Sequence, residues 1–360
     1  MGLIRLFLAL AVVHAHVHER IPGVRAIGGD VAVQSFFVIS GFYMALVLNT
    51  KYGVADTITF YKARALRLLP TYYLVLAFAI IAGLGLSLAN KSPLPWGQWG
   101  DGTPLNMVNK AFMGTLNLSV FGQELPLFLA GHPDGTMFLT KNFIAEQKPL
   151  YEFALNPPAW SLSLEMMFYI LAPFLVRRKP AVLVSIIVAA FALRFGMTLG
   201  LGLGNDPWTY RFFPFEIGTF LLGSLSYHVY ATRVKPMDLS QRKTLILAAA
   251  YLFWLLAPYV PGPMPIIIYP FVTALMLPFV FSVTKSSSWD RKIGELSFPV
   301  YICHWPILKF LAALSFFGIS GWPRQFLVIP LVTLVAWAIY RYFEEPIERK
   351  RQAMIAARSA

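Results

Sequence analysis

The chain has 360 residues, of which 57% are hydrophobic and only 13% charged, and its mean hydropathy is +0.62. That balance excludes an ordinary water-soluble globular domain, and a single cysteine, Cys303, excludes a disulfide framework. The net charge of +13 raises nucleic acid as a partner, but the Lys and Arg residues crowd into alternate loops, so the excess is read as a topology signal with no nucleic-acid partner.

Crossing the hydrocarbon layer takes about 20 mostly apolar residues. Such runs lie near 3–18, 29–49, 69–89, 159–176, 180–200, 211–231, 243–260, 264–284, 294–317 and 325–344. The pattern predicts an all-α polytopic integral membrane protein with about ten transmembrane helices. The basic clusters (Lys51, Lys62, Arg64 and Arg67; Arg177, Arg178 and Lys179; Arg233 and Lys235; Arg242 and Lys243; Lys285, Arg291 and Lys292) fall on one side. By the positive-inside rule that side, with both termini, is cytoplasmic. The organisation expected is one transmembrane domain over 1–348 and a short basic cytoplasmic tail over 349–360. The first run is short and has a basic start, but no small-residue cleavage site follows, so it is read as a retained first helix.

That first run ends in "VVHAHVHERIPG", with His14, His16 and His18 at alternate positions. In a helix, residues two apart point about 200° apart, so the three cannot converge on one ion, and no metal site is expected. Arg5, eleven residues before His16, lies within about 20° of it on the helical wheel, whereas His14 faces away. Ionisable groups inside a span are costly and face a protein interior or a wet cavity. Arg5 and His16 therefore mark one stripe, with the His16 imidazole as a general base; the alternative is a histidine merely solvated at the helix end.

The second run opens "IGGDVAVQSFFVISGFYMALVL". Asp30 is placed to orient His16 or to cap the helix, and Ser40 with Gly41 reads as mid-membrane helix packing. The first basic loop, "TFYKARALRLLPTYY", sets Arg64 and Arg67 three apart on one helical face, a phosphate clamp or a headgroup contact for membrane lipids. The long connection 91–158 is expected on the outer face, as a lid or as plain packing. In "NPPAWSLSLEMMFYIL" an acidic residue, Glu165, enters a span and needs a partner. In "ELSFPVYICHWPIL" Tyr301 and His304 stand three apart on one helix, and "RYFEEPIERKR" reads as a helix exit at Glu344, Glu345 and Pro346.

Taken in order, "RLFLALAVVHAH", "VQSFFVISGF", "RALRLLPTY", "WSLSLEMMFY", "LSFPVYICHWPI" and the terminal "EEP" resemble the membrane acyltransferase 3 family from residue 5 to 346. The resemblance implies O-acyl transfer, most commonly acetyl, from cytoplasmic acetyl-CoA or another acyl-CoA to a sugar hydroxyl. The acceptor would be an envelope or exported polysaccharide or glycolipid on the outer face of a bacterial plasma membrane. It implies that Arg5 and His16 are the family's Arg and essential His, that Arg64 and Arg67 handle acyl-CoA, and that Glu165 is its acidic position. Many members carry Asp where this chain has Gln34, which puts the orienting role of Asp30 in doubt. Composition alone would equally admit a transporter or permease, but that class predicts internal repeats, and none is found.

Overall fold

The computed structural model describes residues 1–17, 27–89, 99, 105–236, 240–256, 264–314 and 323–356. A helix stands over each of the ten apolar runs. In chain order these are α1 (Gly2–His16), α2 (Gly29–Thr50) and α3 (Thr57–Leu88), then a short α4 (Met107–Leu118) outside those runs. They continue with α5 (Trp160–Leu175), α6 (Pro180–Leu201), α7 (Phe213–Val229), α8 (Gln241–Leu256) and α9 (Met264–Thr284). A short α10 (Ser288–Glu295) leads into α11 (Ser297–Ala313), followed by α12 (Pro323–Ile339) and α13 (Glu345–Ala356). Seven helices among the described residues are long and apolar enough to cross a membrane, and Gly2–His16 is a shorter apolar helix. On α6, Val184, Val188, Phe195 and Leu199 are exposed, an apolar belt that water would penalise and lipid would not.

Two boundaries differ from expectation. Arg64 and Arg67 do not lie in a loop, because α3 runs unbroken from Thr57 through Pro70. A proline inside a helix costs one backbone hydrogen bond, and neighbouring helices can make that tolerable within a bundle. The "EEP" stretch does not end the last helix either: a π turn over Tyr340–Glu344 is followed directly by α13. Pro346 then sits in the first turn of the resumed helix, where a missing N–H costs nothing. Glu344 anchors the turn, accepting from Thr71 Oγ1 at 2.6 Å.

The bundle is tied where helices end or meet. The backbone N–H groups of Gly2 and Leu3 donate to the Asp290 carboxylate at 2.7 and 2.9 Å, so a side chain from α10 caps α1. The Arg177 guanidinium donates to the carbonyls of Leu48, Tyr52 and Gly53 at the end of α2. The α2 and α7 backbones touch: a Cβ on Gly41 would overlap the Phe220 carbonyl oxygen, and one on Gly223 the carbonyl of Val38. Gly41→Ala is therefore expected to cost at least about 1–3 kcal/mol, as overpacking does. It should lower the unfolding temperature of the detergent-solubilised protein, whereas Gly196→Ala, with open space around it, should not.

The connection between α3 and α5 folds on a small core of its own, Leu105, Met113, Leu116, Leu150 and Phe153, beside a two-stranded hairpin, β1 (Leu129–Gly131) with β2 (Met137–Leu139). Asn117 locks it: Nδ2 donates to the Met113 and Phe153 carbonyls, and Oδ1 accepts from Leu155 N–H. Tyr72 of α3 donates to the Asn117 carbonyl, so this layer is bound to the bundle.

Candidate active site

A cavity of about 550 Å³ runs between α1, α2, α3, α5, α10 and α11. Its lining follows α2 from Val33 to Lys51, roughly 27 Å along the axis. At one end the exposed side chains of Lys51, Lys285, Arg291 and Gln352 frame an opening; at the other, Val33, Phe37, Ser161 and Tyr301 are buried. Among the described residues it is lined by seven Lys and Arg side chains against three carboxylates, so an anion is attracted to the open, basic end.

The basic end is built by several elements. Arg64 and Arg67 of α3 both reach it, as their three-residue spacing predicts. Arg67 Nη2 pairs with Glu295 Oε2 at 3.1 Å. Arg64 has no such carboxylate; it is 9% exposed, lies 6.0 Å from the Tyr169 ring centroid, and its Nε has no hydrogen-bond partner among the described residues. Arg5 belongs here too. It is separated from His16 by about 16 Å of helix, so the shared stripe on α1 serves two different places.

The wall is a polar stripe on α5. Ser161, Glu165 and Tyr169 recur every four residues, face the cavity together, and could have been found from that period alone. Glu165 Oε1 accepts from Ser40 Oγ at 2.7 Å and from the Tyr169 hydroxyl at 2.5 Å. The partner that a carboxylate inside a span requires is therefore this pair of hydroxyls, and Ser40 turns to the cavity while its neighbour Gly41 does the packing. Ser161 Oγ lies 2.6 Å from the Tyr301 hydroxyl, which donates to the Pro158 carbonyl at 3.0 Å. This knot closes the far end.

One turn beyond Tyr301, away from the basic end, His304 meets His16. Nε2 of His304 lies 3.2 Å from Nδ1 of His16, and Trp305 sets its ring edge-on to the His16 imidazole. Carbonyl oxygens only accept, which assigns the tautomers. His304 Nδ1 is 2.5 Å from the Tyr301 carbonyl and His16 Nδ1 is 2.9 Å from that of Val12, so each Nδ1 carries a hydrogen. The one hydrogen on His16 Nδ1 is then shared between the Val12 carbonyl and His304 Nε2, and the His16 lone pair resides on Nε2. Asp30 begins α2 within electrostatic reach of Tyr210 and Tyr269. His14 lies on α1, whereas His18 lies outside the described residues. No group of three or more His, Cys, Asp or Glu side chains suited to a metal occurs among the described residues.

A second buried polar cluster went unread in the sequence. Arg194 of α6, 5% exposed, pairs with Glu216 of α7, fully buried, and Gln34 of α2 donates to the same carboxylate oxygen at 3.1 Å. The signal was available as two opposite charges inside neighbouring apolar runs. Gln34 thus serves helix assembly, joining three helices at one carboxylate.

Residues 1–341 match a family described as an acyltransferase domain. The chain is 22% identical over 355 residues to O-acetyltransferase OatA of Staphylococcus aureus, covering 90% of this chain and 53% of that protein, so it spans about half the length of that relative. It is 24% identical over 363 residues to acyltransferase MdmB of Streptomyces mycarofaciens, covering 89% of this chain and 81% of the other. No solved structure matches.

Proposed function

Because the chain belongs to the acyltransferase 3 family, we propose that it is a membrane O-acyltransferase, taking an acyl group, in the first instance acetyl, from cytoplasmic acyl-CoA. The acceptor is a sugar hydroxyl of an envelope or exported polysaccharide or glycolipid on the other face of a bacterial plasma membrane. In this reading all ten helices over apolar runs are spans, and both termini lie with the basic end in the cytoplasm. The observation that carries it is the single cavity joining a cationic opening to the Tyr301–Ser161 knot beneath the His16–His304 pair.

The donor's phosphates dock at Arg64, Arg67 and Arg5, and its arm runs along Ser40 and Glu165 toward Tyr301. Beyond that knot, His16 Nε2 takes the proton of the acceptor hydroxyl as its oxygen attacks the thioester carbonyl carbon. The carbon–sulfur bond breaks, an ester forms on the sugar, and the departing thiolate takes the proton from His16 Nε2, which frees the coenzyme as its thiol and returns His16 to its neutral form. His304, accepting from His16 Nδ1–H, holds the ring in the tautomer this requires.

Coenzyme A binding tests the donor half. Acetyl-CoA should raise the unfolding temperature of the purified wild-type protein, and Arg64→Ala with Arg67→Ala should abolish the shift. Each lost charge-assisted contact is worth about 1.5–3 kcal/mol. An equal shift in the double variant would remove acyl-CoA from the cavity.

A further inference from the structure

The last helix, α13, lies outside the residues 1–341 that match the family, yet two of its side chains, Arg351 and Gln352, line the cavity's basic end. Arg351 is only 5% exposed, and it is held rather than loose: Nε donates to Glu348 Oε2 at 2.6 Å and Nη2 to Glu348 Oε1 at 2.5 Å. That fork consumes the Nε–Nη2 edge of the guanidinium and holds its charge at the cavity's rim. Gln352 Oε1 lies 3.4 Å from Lys51 Nζ.

Arg351, Lys51 and Arg64 also lie within electrostatic reach of one another. Partial burial, then the guanidiniums of Arg351 and Arg64, hold the Lys51 ammonium below its usual range. Like charges brought together from three separate elements repel, and Glu348 offsets only part of that repulsion. With the buried, unpartnered Nε of Arg64 beside them, the three form a corner that an anion would stabilise. Lys285 and Arg291 border the same opening from α9's end and α10, apart from this corner in the sequence. A coenzyme A thioester carries two phosphate centres, the diphosphate and the ribose 3′-phosphate, and a mouth with more than one set of cations suits such a donor better than one with a single phosphate.

We propose that α13 completes the donor site, with Arg351, Lys51 and Arg64 taking the ribose 3′-phosphate and so selecting a 3′-phosphorylated nucleotide thioester. The proposal rests on the acyl-CoA reading and adds to it Arg351, a residue outside the family's matched region.

The test compares coenzyme A with 3′-dephospho-coenzyme A as ligands of the full chain in detergent, alongside acetyl transfer to membrane glycan. Wild type should prefer coenzyme A. Arg351→Gln should weaken coenzyme A binding about tenfold or more, the worth of one charge-assisted partner, while leaving the dephospho form unchanged. Lys51→Gln, at an exposed position, should move the preference the same way by less. If Arg351→Gln and Lys51→Gln leave the preference unaltered while acetyl transfer continues, α13 has no such role and the acyl-CoA reading stands. If neither coenzyme A form binds wild type, that reading falls. Adenosine 3′,5′-bisphosphate then decides this site alone: binding lost in Arg351→Gln upholds it, and binding unchanged or absent in wild type overturns it.

Discussion

His16→Ala is expected to lower acyl transfer by about 10²–10⁴-fold, the usual contribution of a positioned general base, with little change in coenzyme A binding. The separation of effects follows from placement: Lys51, Lys285 and Arg291 frame the cavity's cationic opening, whereas the His16–His304 pair lies one turn past Tyr301, which lines its buried end. His14→Ala should leave transfer near the wild-type rate, since helix α1 turns His14 away from His16. His304→Ala should fall between them. It removes one of the two acceptors around His16 Nδ1–H without removing the base, so His304→Gln, which restores an acceptor, should recover much of the loss. Transfer assays in membranes carrying each variant at matched protein level check the series. Equal loss in His14→Ala and His16→Ala would contradict the assignment of a single base.

The largest effect on stability is expected at Glu216 and Arg194. Removing either partner of a buried ion pair strands the other charge, at about 3–5 kcal/mol in proteins generally. Here the stranded group would lie inside an apolar bundle, so Glu216→Ala should reduce membrane yield and unfolding temperature together. Arg194→Met with Glu216→Met, which removes both charges and keeps the volume, should recover most of the loss. Gln34→Glu should also destabilise, by setting a second carboxylate against Glu216. Unfolding temperatures of the purified variants decide it; a double variant no better than the singles would mean the ion pair stabilises the fold outright.

Most of the architecture was legible because the membrane enforces a simple code. Apolar runs became helices with nearly the predicted bounds at 29–50, 160–175, 180–201 and 264–284. What failed were ends set by tertiary contacts. The first basic loop reads as ending where the third span begins and Pro346 as a helix exit, yet Pro70 is carried within one unbroken helix and Pro346 follows a π turn anchored by Thr71 and Glu344. The site was half legible for a similar reason. Spacing along one helix exposed the Arg64 and Arg67 pair and singled out His16 from its neighbours, because 3.6-residue periodicity is local information. The His16–His304 contact joins residues 288 positions apart, and the Arg194–Glu216–Gln34 cluster joins three helices; neither leaves a periodic trace. The Ser161–Glu165–Tyr169 stripe did leave one, but Glu165 alone drew notice because only it is charged.

In the proposed reaction an acyl group enters at the cationic end and leaves past His16 on the other face. Sealed inside-out membrane vesicles, which on this topology present the basic end to the medium, test it when given labelled acetyl-CoA that cannot cross the bilayer. Label should appear in glycan enclosed within wild-type vesicles and be absent from those carrying His16→Ala. Label confined to glycan on the donor's own face, or incorporated equally by His16→Ala, would contradict it.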